Sequence, residues 1–505
     1  SLLADLGGGK FDGAYIVNNF EQLDPANTYW TKLYNLYAKV DTEGPRFLDF
    51  ERWWGGHFLM NKEEIEWIVQ NLFVGNKLTS GEVRTADGEV SIDLRNIRSP
   101  IVVFASWGDN ITPPQQALNW IPDLYETDAE LLAHEKVIVY CLHEKIGHLG
   151  IFVSTKIAGR ETAELVSAID LIDTLPPGLY EAIIEDTCPT MSNLDLIEGR
   201  YLVKFEQRKI ADILALDDGR EDEQAFQVVK RVAEINQSLY DTFVSPWVKA
   251  MSNEVTAKWL RVTNPDRMQR YLLSDLNPAM WSIKTLAEMV KAQRTPVAPD
   301  NPLVKLEHQV SERIEQSLDA YRDSRDAMQE RLFKAIYESP WVAAAVGLAG
   351  RTDPRHAPKA AAAIREEFTR LKLEEIRSHI DEGTPLDGWI RIMLYQHGKD
   401  EAIDERPFNL VQRMLIEVAP ERRPTRDALK QALKREMFVL LIDEERAIDA
   451  LPTLLPDAKL REQAIHLARK VASASGALSK EREARLRRVE QILDLDAPKR
   501  KAAND

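Results

Sequence analysis

The stretch Ile101-Val-Val-Phe-Ala-Ser-Trp-Gly-Asp109-Asn-Ile-Thr-Pro-Pro114 runs from an apolar segment through a glycine to an acid and a pair of prolines. A second apolar run, residues 136–142, leads to Glu144-Lys-Ile-Gly-His148-Leu-Gly150. Both runs are apolar almost throughout, which marks strands buried on both faces, as in a parallel sheet covered by helices. The helical pattern of residues 115–125 supplies the crossover between them, and Pro113 and Pro114 suit its first turn. Each strand therefore delivers one chemically capable side chain at its C-terminal end: Asp109 after the first and His148 after the second. Gly108 and Gly147 permit tight turns before each, and Gly150 permits close backbone approach after the histidine.

Outward from this pair, residues 1–185 mix helical and strand patterns. Residues 62–73 carry Ile65, Ile68, Val69 and Leu72 on one stripe and predict a helix. After Pro176-Pro177-Gly178 the character changes, and residues 201–216 predict a hairpin or a strand leading into a helix. From about residue 222 onward only helices are expected. The longest spans 301–338, opened by an Asn301 cap and Pro302 in the first turn. Its apolar positions, from Leu303 and Leu306 through Met328, Leu332 and Ile336, recur at helical spacing and predict burial in a bundle, with a coiled-coil seam as the alternative. Residues 350–358 look like a linker. Residues 424–495 carry several short amphipathic helices, and the charges of the last are expected to be a solvated face. The expected division is 1–185 as a partial α/β domain, 186–220 as a connecting β/α segment, 221–350 as a helical domain, 351–423 as a helical region and 424–505 as a small helical domain.

The chain has 505 residues, enough for several cores, and a net charge of −16. That balance opposes a nucleic-acid role driven by phosphate neutralisation. The basic tail Pro498-Lys-Arg-Lys501 is too short to reverse it and is expected to be a frayed end. No segment approaches the length of apolar sequence that spans a bilayer. With only Cys141 and Cys188 there is no disulfide framework, and a reducing, cytoplasmic setting is expected. The sequence lacks an initiator Met and a signal pattern, so a fragment or a processed product is expected. No His, Cys or acidic cluster has metal-ligand spacing, and neither a metal nor a cofactor is expected.

An acid followed in chain order by a histidine, both at strand ends, is the back half of an α/β-hydrolase triad. In such a triad the carboxylate holds one ring nitrogen while the other exchanges a proton with a nucleophile. The plainer alternatives are that Asp109 caps the helix beginning near Pro113 and that His148 is structural. His143, His57 and His134 are weaker candidates, and His143 lacks flanking glycines. The front half is missing, because no Gly-x-Ser-x-Gly or Gly-x-Cys-x-Gly elbow precedes Asp109. Cys141 falls inside a strand run, where a small core residue is expected, and Cys188 follows the acid.

At these residues the chain resembles polyhydroxyalkanoate synthases, and more closely an uncharacterised bacterial family, DUF3141, related to them. The likeness rests on Asn27-Thr-Tyr-Trp30, Trp53-Trp-Gly-Gly-His57, Asn71-Leu-Phe-Val-Gly-Asn-Lys-Leu78, Ile92-Asp-Leu-Arg-Asn-Ile97, Gly108-Asp-Asn-Ile-Thr-Pro113 and Gly147-His-Leu-Gly150. The synthase likeness covers residues 10–155. It implies acyl chemistry in which a cysteine or serine takes an acyl group from a thioester or ester, the histidine acts as base, and the acid orients it or assists the incoming hydroxyl. Asp109 and His148 match the latter two positions, and nothing matches the nucleophile. The segment 472–495 resembles, over one helix hairpin, the end of a TerB-like helical domain.

The expected fold class is α/β followed by all-α: the C-terminal part of an α/β-hydrolase-type parallel sheet, its nucleophile half absent, joined to a large helical region. The expected function is a synthase-like acyltransferase or hydrolase acting on hydroxyacyl thioesters or polyesters. The alternative is a non-catalytic scaffold that meets a protein partner through its helices. As given, the chain is expected to lack covalent catalysis.

Overall fold

Along the strand Val137–His143 successive side chains enter two different cores, and this alternation organises the sheet. Val137, Val139 and Cys141 face a cluster with Leu171, Ile172, Leu175, Tyr180, Val203 and Phe205. Ile138 and Tyr140 face a second cluster with Leu118, Ile121, Leu124, Ile210 and Ile213. The computed structural model describes the chain except residues 86–87, 149, 151–165, 167, 188–190, 198–200, 217–222, 296, 299, 350–358, 399–401, 418–422 and 496–505. Cys188, the linker at 350–358 and the basic tail lie outside the described residues.

The described strands are β1 (Lys10–Asp12), β2 (Leu59–Asn61), β3 (Ile101–Ser106), β4 (Val137–His143), β5 (Gly178–Asp186), β6 (Tyr201–Arg208) and β7 (Ile403–Asp404). The chain divides into two units, and neither is a continuous segment: residues 1–78 with 220–354, and residues 79–219 with 355–505. The expected linear division therefore differs from the observed one. Periodicity reports local structure, whereas this division depends on which distant segments share a core.

In the second unit the sheet order is β3-β4-β5-β6-β7. Strands β3, β4 and β5 run parallel, with Ser106 opposite His143 and Val137 opposite Gly178. Strands β6 and β7 then add antiparallel, with Leu179 opposite Arg208 and Phe205 opposite Ile403. The sheet is mixed, where an all-parallel one was expected. A parallel pairing needs a long crossover, and the described part of the β5–β6 connection holds only the short turn Leu194–Leu196. The β3–β4 crossover contains three short helices, Pro114–Leu118, Trp120–Leu124 and Asp128–Ala133, the first two in place of the single one expected at 115–125. Pro122 lacks the N–H that would bond the Leu118 carbonyl in a continuous helix. Residues 201–216 do form a strand leading into a helix, β6 and then Ile210–Leu214.

The helices of this unit gather around Pro385–His397. Its Ile392 and Tyr395 share a core with Val439 and Leu440, Ile448, Leu451, Ala468, Leu486 and Val489. That core runs across residue 423, where a boundary was expected. Arg391 and Glu436 form an ion pair at 2.6 Å with both side chains wholly buried. Burial pushes the Glu436 carboxyl above its ordinary range, against the pull of the Arg391 guanidinium.

In the first unit β1 pairs antiparallel with β2. Asn61 opens the helix Lys62–Ile68, its backbone N–H donating to Glu64 Oε2 at 2.9 Å. The helix then widens through Val69–Phe73, in keeping with the 62–73 expectation. Buried polar ties join the segments of this unit. The buried Asp5 carboxylate accepts from Lys62 Nζ at 2.9 Å, Tyr240 Oη at 2.8 Å and Ser245 Oγ at 2.7 Å. Burial and the bond to Asp5 push the Tyr240 hydroxyl up to about 12. Asp12 holds Arg267 through two hydrogen bonds.

The long helix spans Pro302–Tyr337, with Asn301 Oδ1 accepting from Leu303 N at 2.9 Å as its cap. Its apolar stripe corrects the burial expectation: Leu303 is 72% exposed, Met328 65% and Leu332 59%. Helical periodicity identifies a face, but only a partner element buries it. No described helix is long and apolar enough to cross a membrane.

Candidate functional site

Strands β3 and β4 are parallel neighbours, so the loops that follow them emerge at the same end of the sheet. The register places Ser106 opposite His143, and the Trp107 N–H continues the ladder by donating to the His143 carbonyl at 2.8 Å. Ser106 then locks the two loops together. Its Oγ accepts from Gly108 N at 3.2 Å and from Ile146 N at 3.0 Å. At Gly108 a Cβ would lie 2.4 Å from the Lys145 carbonyl carbon and 2.7 Å from Ile146 N. Glycine is required there by close approach of the second loop, rather than by an unusual turn. Gly150 is similarly crowded, by the Ile146 side chain, whereas open space surrounds the Cβ position of Gly147. Gly147 does open a tight turn, its carbonyl accepting from Gly150 N at 2.7 Å, although a side chain there would meet no neighbour.

Those constraints bring Asp109 and His148 together. The His148 Nδ1 lies 2.9 Å from Asp109 Oδ2. An ionised carboxylate only accepts, so Nδ1 carries the proton and Nε2 is the basic ring nitrogen. Asp109 divides its oxygens between two tasks. Oδ1 accepts the backbone N–H groups of Ile111 at 2.8 Å and Thr112 at 2.9 Å, while Oδ2 accepts the Thr112 hydroxyl at 2.8 Å and faces the imidazole. The capping alternative is thus realised in part, since the carboxylate does order the loop before the helix at Pro114. The N-cap of that helix, however, is Pro113. Burial works against ionisation of Asp109. The hydrogen bonds from Thr112 and Ile111 N–H groups, the Thr112 hydroxyl and His148 outweigh it and hold the carboxyl below its ordinary range. Asp109 is nearly buried, and His148 is about one-third exposed to solvent.

Thr112 completes the arrangement, with its Oγ1 3.1 Å from His148 Nδ1 as well. Sequence reasoning quoted this residue without assigning it a part. An Asp followed three residues later by Thr, ahead of a proline, is the available signal, because a short carboxylate in such a loop bonds the backbone just ahead of it. Ser106 was missed for another reason: at the end of an apolar run it reads simply as the last strand residue.

The weaker histidines go elsewhere. The His143 Nδ1 accepts from Lys145 N at 3.1 Å within its own loop. His134 packs its ring 4.9 Å from that of Phe368. His57 belongs to the first unit, where burial and the nearby Arg270 and Arg267 lower its pKa. Cys141 is buried in the sheet core. Among the described residues no group of three or more His, Cys, Asp or Glu side chains is placed to hold a metal ion.

Residues 1–380 match the model of a family described as "Protein of unknown function (DUF3141)". A relative in Rhizobium meliloti, described as "Uncharacterized protein in ackA 5'region", is 44% identical over 500 residues, covering 98% of this chain and 68% of the relative. No solved structure matches the chain.

Proposed function

We propose that this chain, which belongs to the DUF3141 family, carries the acid and base of an acyl-transfer centre of α/β-hydrolase type, acting on hydroxyacyl thioesters or polyesters. The observation that supports it most directly is the 2.9 Å contact between His148 Nδ1 and Asp109 Oδ2 at one end of the parallel strands. In this reading Nε2 of His148 takes the proton from an attacking hydroxyl or thiol as the new acyl bond forms. The Asp109 carboxylate stabilises the resulting imidazolium, and the proton then passes to the leaving thiolate or alkoxide as the old bond breaks. The nucleophile is not assigned. The synthase resemblance supplies the substrate class, and the Asp-then-His order supplies the reaction type.

The test is hydrolysis and transfer of a 3-hydroxybutyryl thioester and a short-chain nitrophenyl ester by the protein at its natural length. His148→Ala should lower kcat by about 10²–10⁴-fold. Turnover unchanged by that substitution rejects the proposal.

A second reading, a scaffold whose helices meet a protein partner, is favoured by the exposed stripe on Pro302–Tyr337. It predicts no turnover of either substrate, together with a stable complex that is lost when Leu306 and Leu332 are replaced by Gln.

A further inference from the structure

A cavity of about 100 Å³ lies within the second unit, where the helix Ile169–Thr174 meets the helices that follow β7. Its wall is largely hydrocarbon and includes Leu171, Leu175, Met393, Phe408, Leu433 and Met437. It borders the start of β5, whereas Asp109 and His148 follow the ends of β3 and β4, so it does not depend on the proposed acyl-transfer centre.

One lining residue does not fit a dry filler role. Gln396, on the helix Pro385–His397, is 3% exposed, and its Oε1 is buried without a hydrogen-bond partner. A buried carboxamide is ordinarily satisfied, because leaving it unpaired forfeits its hydration for nothing in return. The one carboxylate on the wall is already engaged, and the one histidine is held through its Nδ1. Asp404 accepts from Arg406 through both of its oxygens, and His397 Nδ1 accepts from Arg482. A charged guest would find no counter-ion there, while a neutral one would find an amide edge beside an apolar body-sized space.

We propose that this cavity binds a small, mostly apolar molecule carrying one neutral hydroxyl or amide head, with the head donating to Gln396 Oε1 and the body against Leu171, Leu433 and Phe408. The space is of the order in which a dry apolar cavity admits a single ring.

The experiment titrates the full chain with p-cresol and with toluene, which share a ring and differ by the hydroxyl, following binding by protein-observed NMR. Wild type should bind p-cresol at least about tenfold more tightly than toluene, because toluene leaves the amide unpaired. Gln396→Leu should reverse that order and raise the Tm of the unliganded protein. Leu433→Trp should abolish both, and Val411→Phe serves if the larger replacement fails to fold. Absence of binding to wild type at millimolar probe, or binding that survives filling the cavity, overturns the site. An unchanged preference in Gln396→Leu, or a lowered Tm, overturns the assignment of the head group to the amide.

Discussion

The Ser106 hydroxyl accepts the backbone N–H of Ile146 at 3.0 Å, joining two loops that belong to different strands. The same oxygen accepts from Gly108, so the segment bearing Asp109 and the segment bearing His148 hang from one atom. Ser106→Ala leaves both N–H groups to find other partners and should cost about 1–3 kcal/mol of stability. Ser106→Thr keeps the acceptor and should retain most of it. Chemical denaturation of the three proteins decides the point.

Gly108 and Gly147 precede the acid and the histidine in the same way in sequence, yet they should respond differently. Gly108→Ala forces a methyl against the Lys145–Ile146 backbone and should destabilise by about 1–3 kcal/mol. Gly147→Ala meets open space and should change stability by no more than about 0.5 kcal/mol. Thermal unfolding of both variants tests the pair, and equal losses would contradict the packing described.

The Asp109 carboxyl is held below its ordinary 3.8, so its contribution to stability is fully present above that value and fades as pH falls through the lower folded-state pKa. Asp109→Asn should therefore weaken the protein at neutral pH and flatten the acid limb of its stability profile. Thr112→Val should move the wild-type limb upward in pH by removing one of the stabilising hydrogen bonds. Urea titrations between neutrality and about pH 2 measure both.

Arg391 and Glu436 are wholly buried against one another. Arg391→Met alone leaves the buried Glu436 carboxyl with only the half-exposed Arg435 as a charged partner and should cost about 3–5 kcal/mol. Combining it with Glu436→Leu should recover much of that loss, giving a strong coupling in a double-mutant cycle. Additive losses would show that the pair is not the unit that matters.

The meeting of Asp109 and His148 was legible in sequence where chemistry and strand pattern coincided. Two apolar runs named β3 and β4, and the residues just past them named Asp109 and His148. What escaped were partners made visible only by register. Ser106 gains its role from the loop placed opposite it, and Thr112 from the turn that folds it back on Asp109. In the antiparallel half β6 was legible as a strand, but β7 escaped because it is a two-residue strand that meets β6 from far along the chain. Nothing local in Ile403-Asp404 separates it from a loop. The long helix shows the converse case. Its cap and length were plain in Asn301-Pro302 and the spacing that follows, but periodicity carries no information about whether a neighbour arrives to cover the stripe.

The antiparallel addition of β7 also bears on how the protein is cut for expression. The family match stops at residue 380, before Ile403 reaches Phe205 and before Ile392 and Tyr395 enter their core. A truncation drawn at that limit would bare the backbone of β6 at Lys204 and Phe205 and would remove Ile403 and Phe408 from the packing around β4 and β5. An uncovered strand edge beside exposed hydrocarbon invites pairing with other molecules, so the shortened polypeptide should collect in inclusion bodies while the longer one stays in solution.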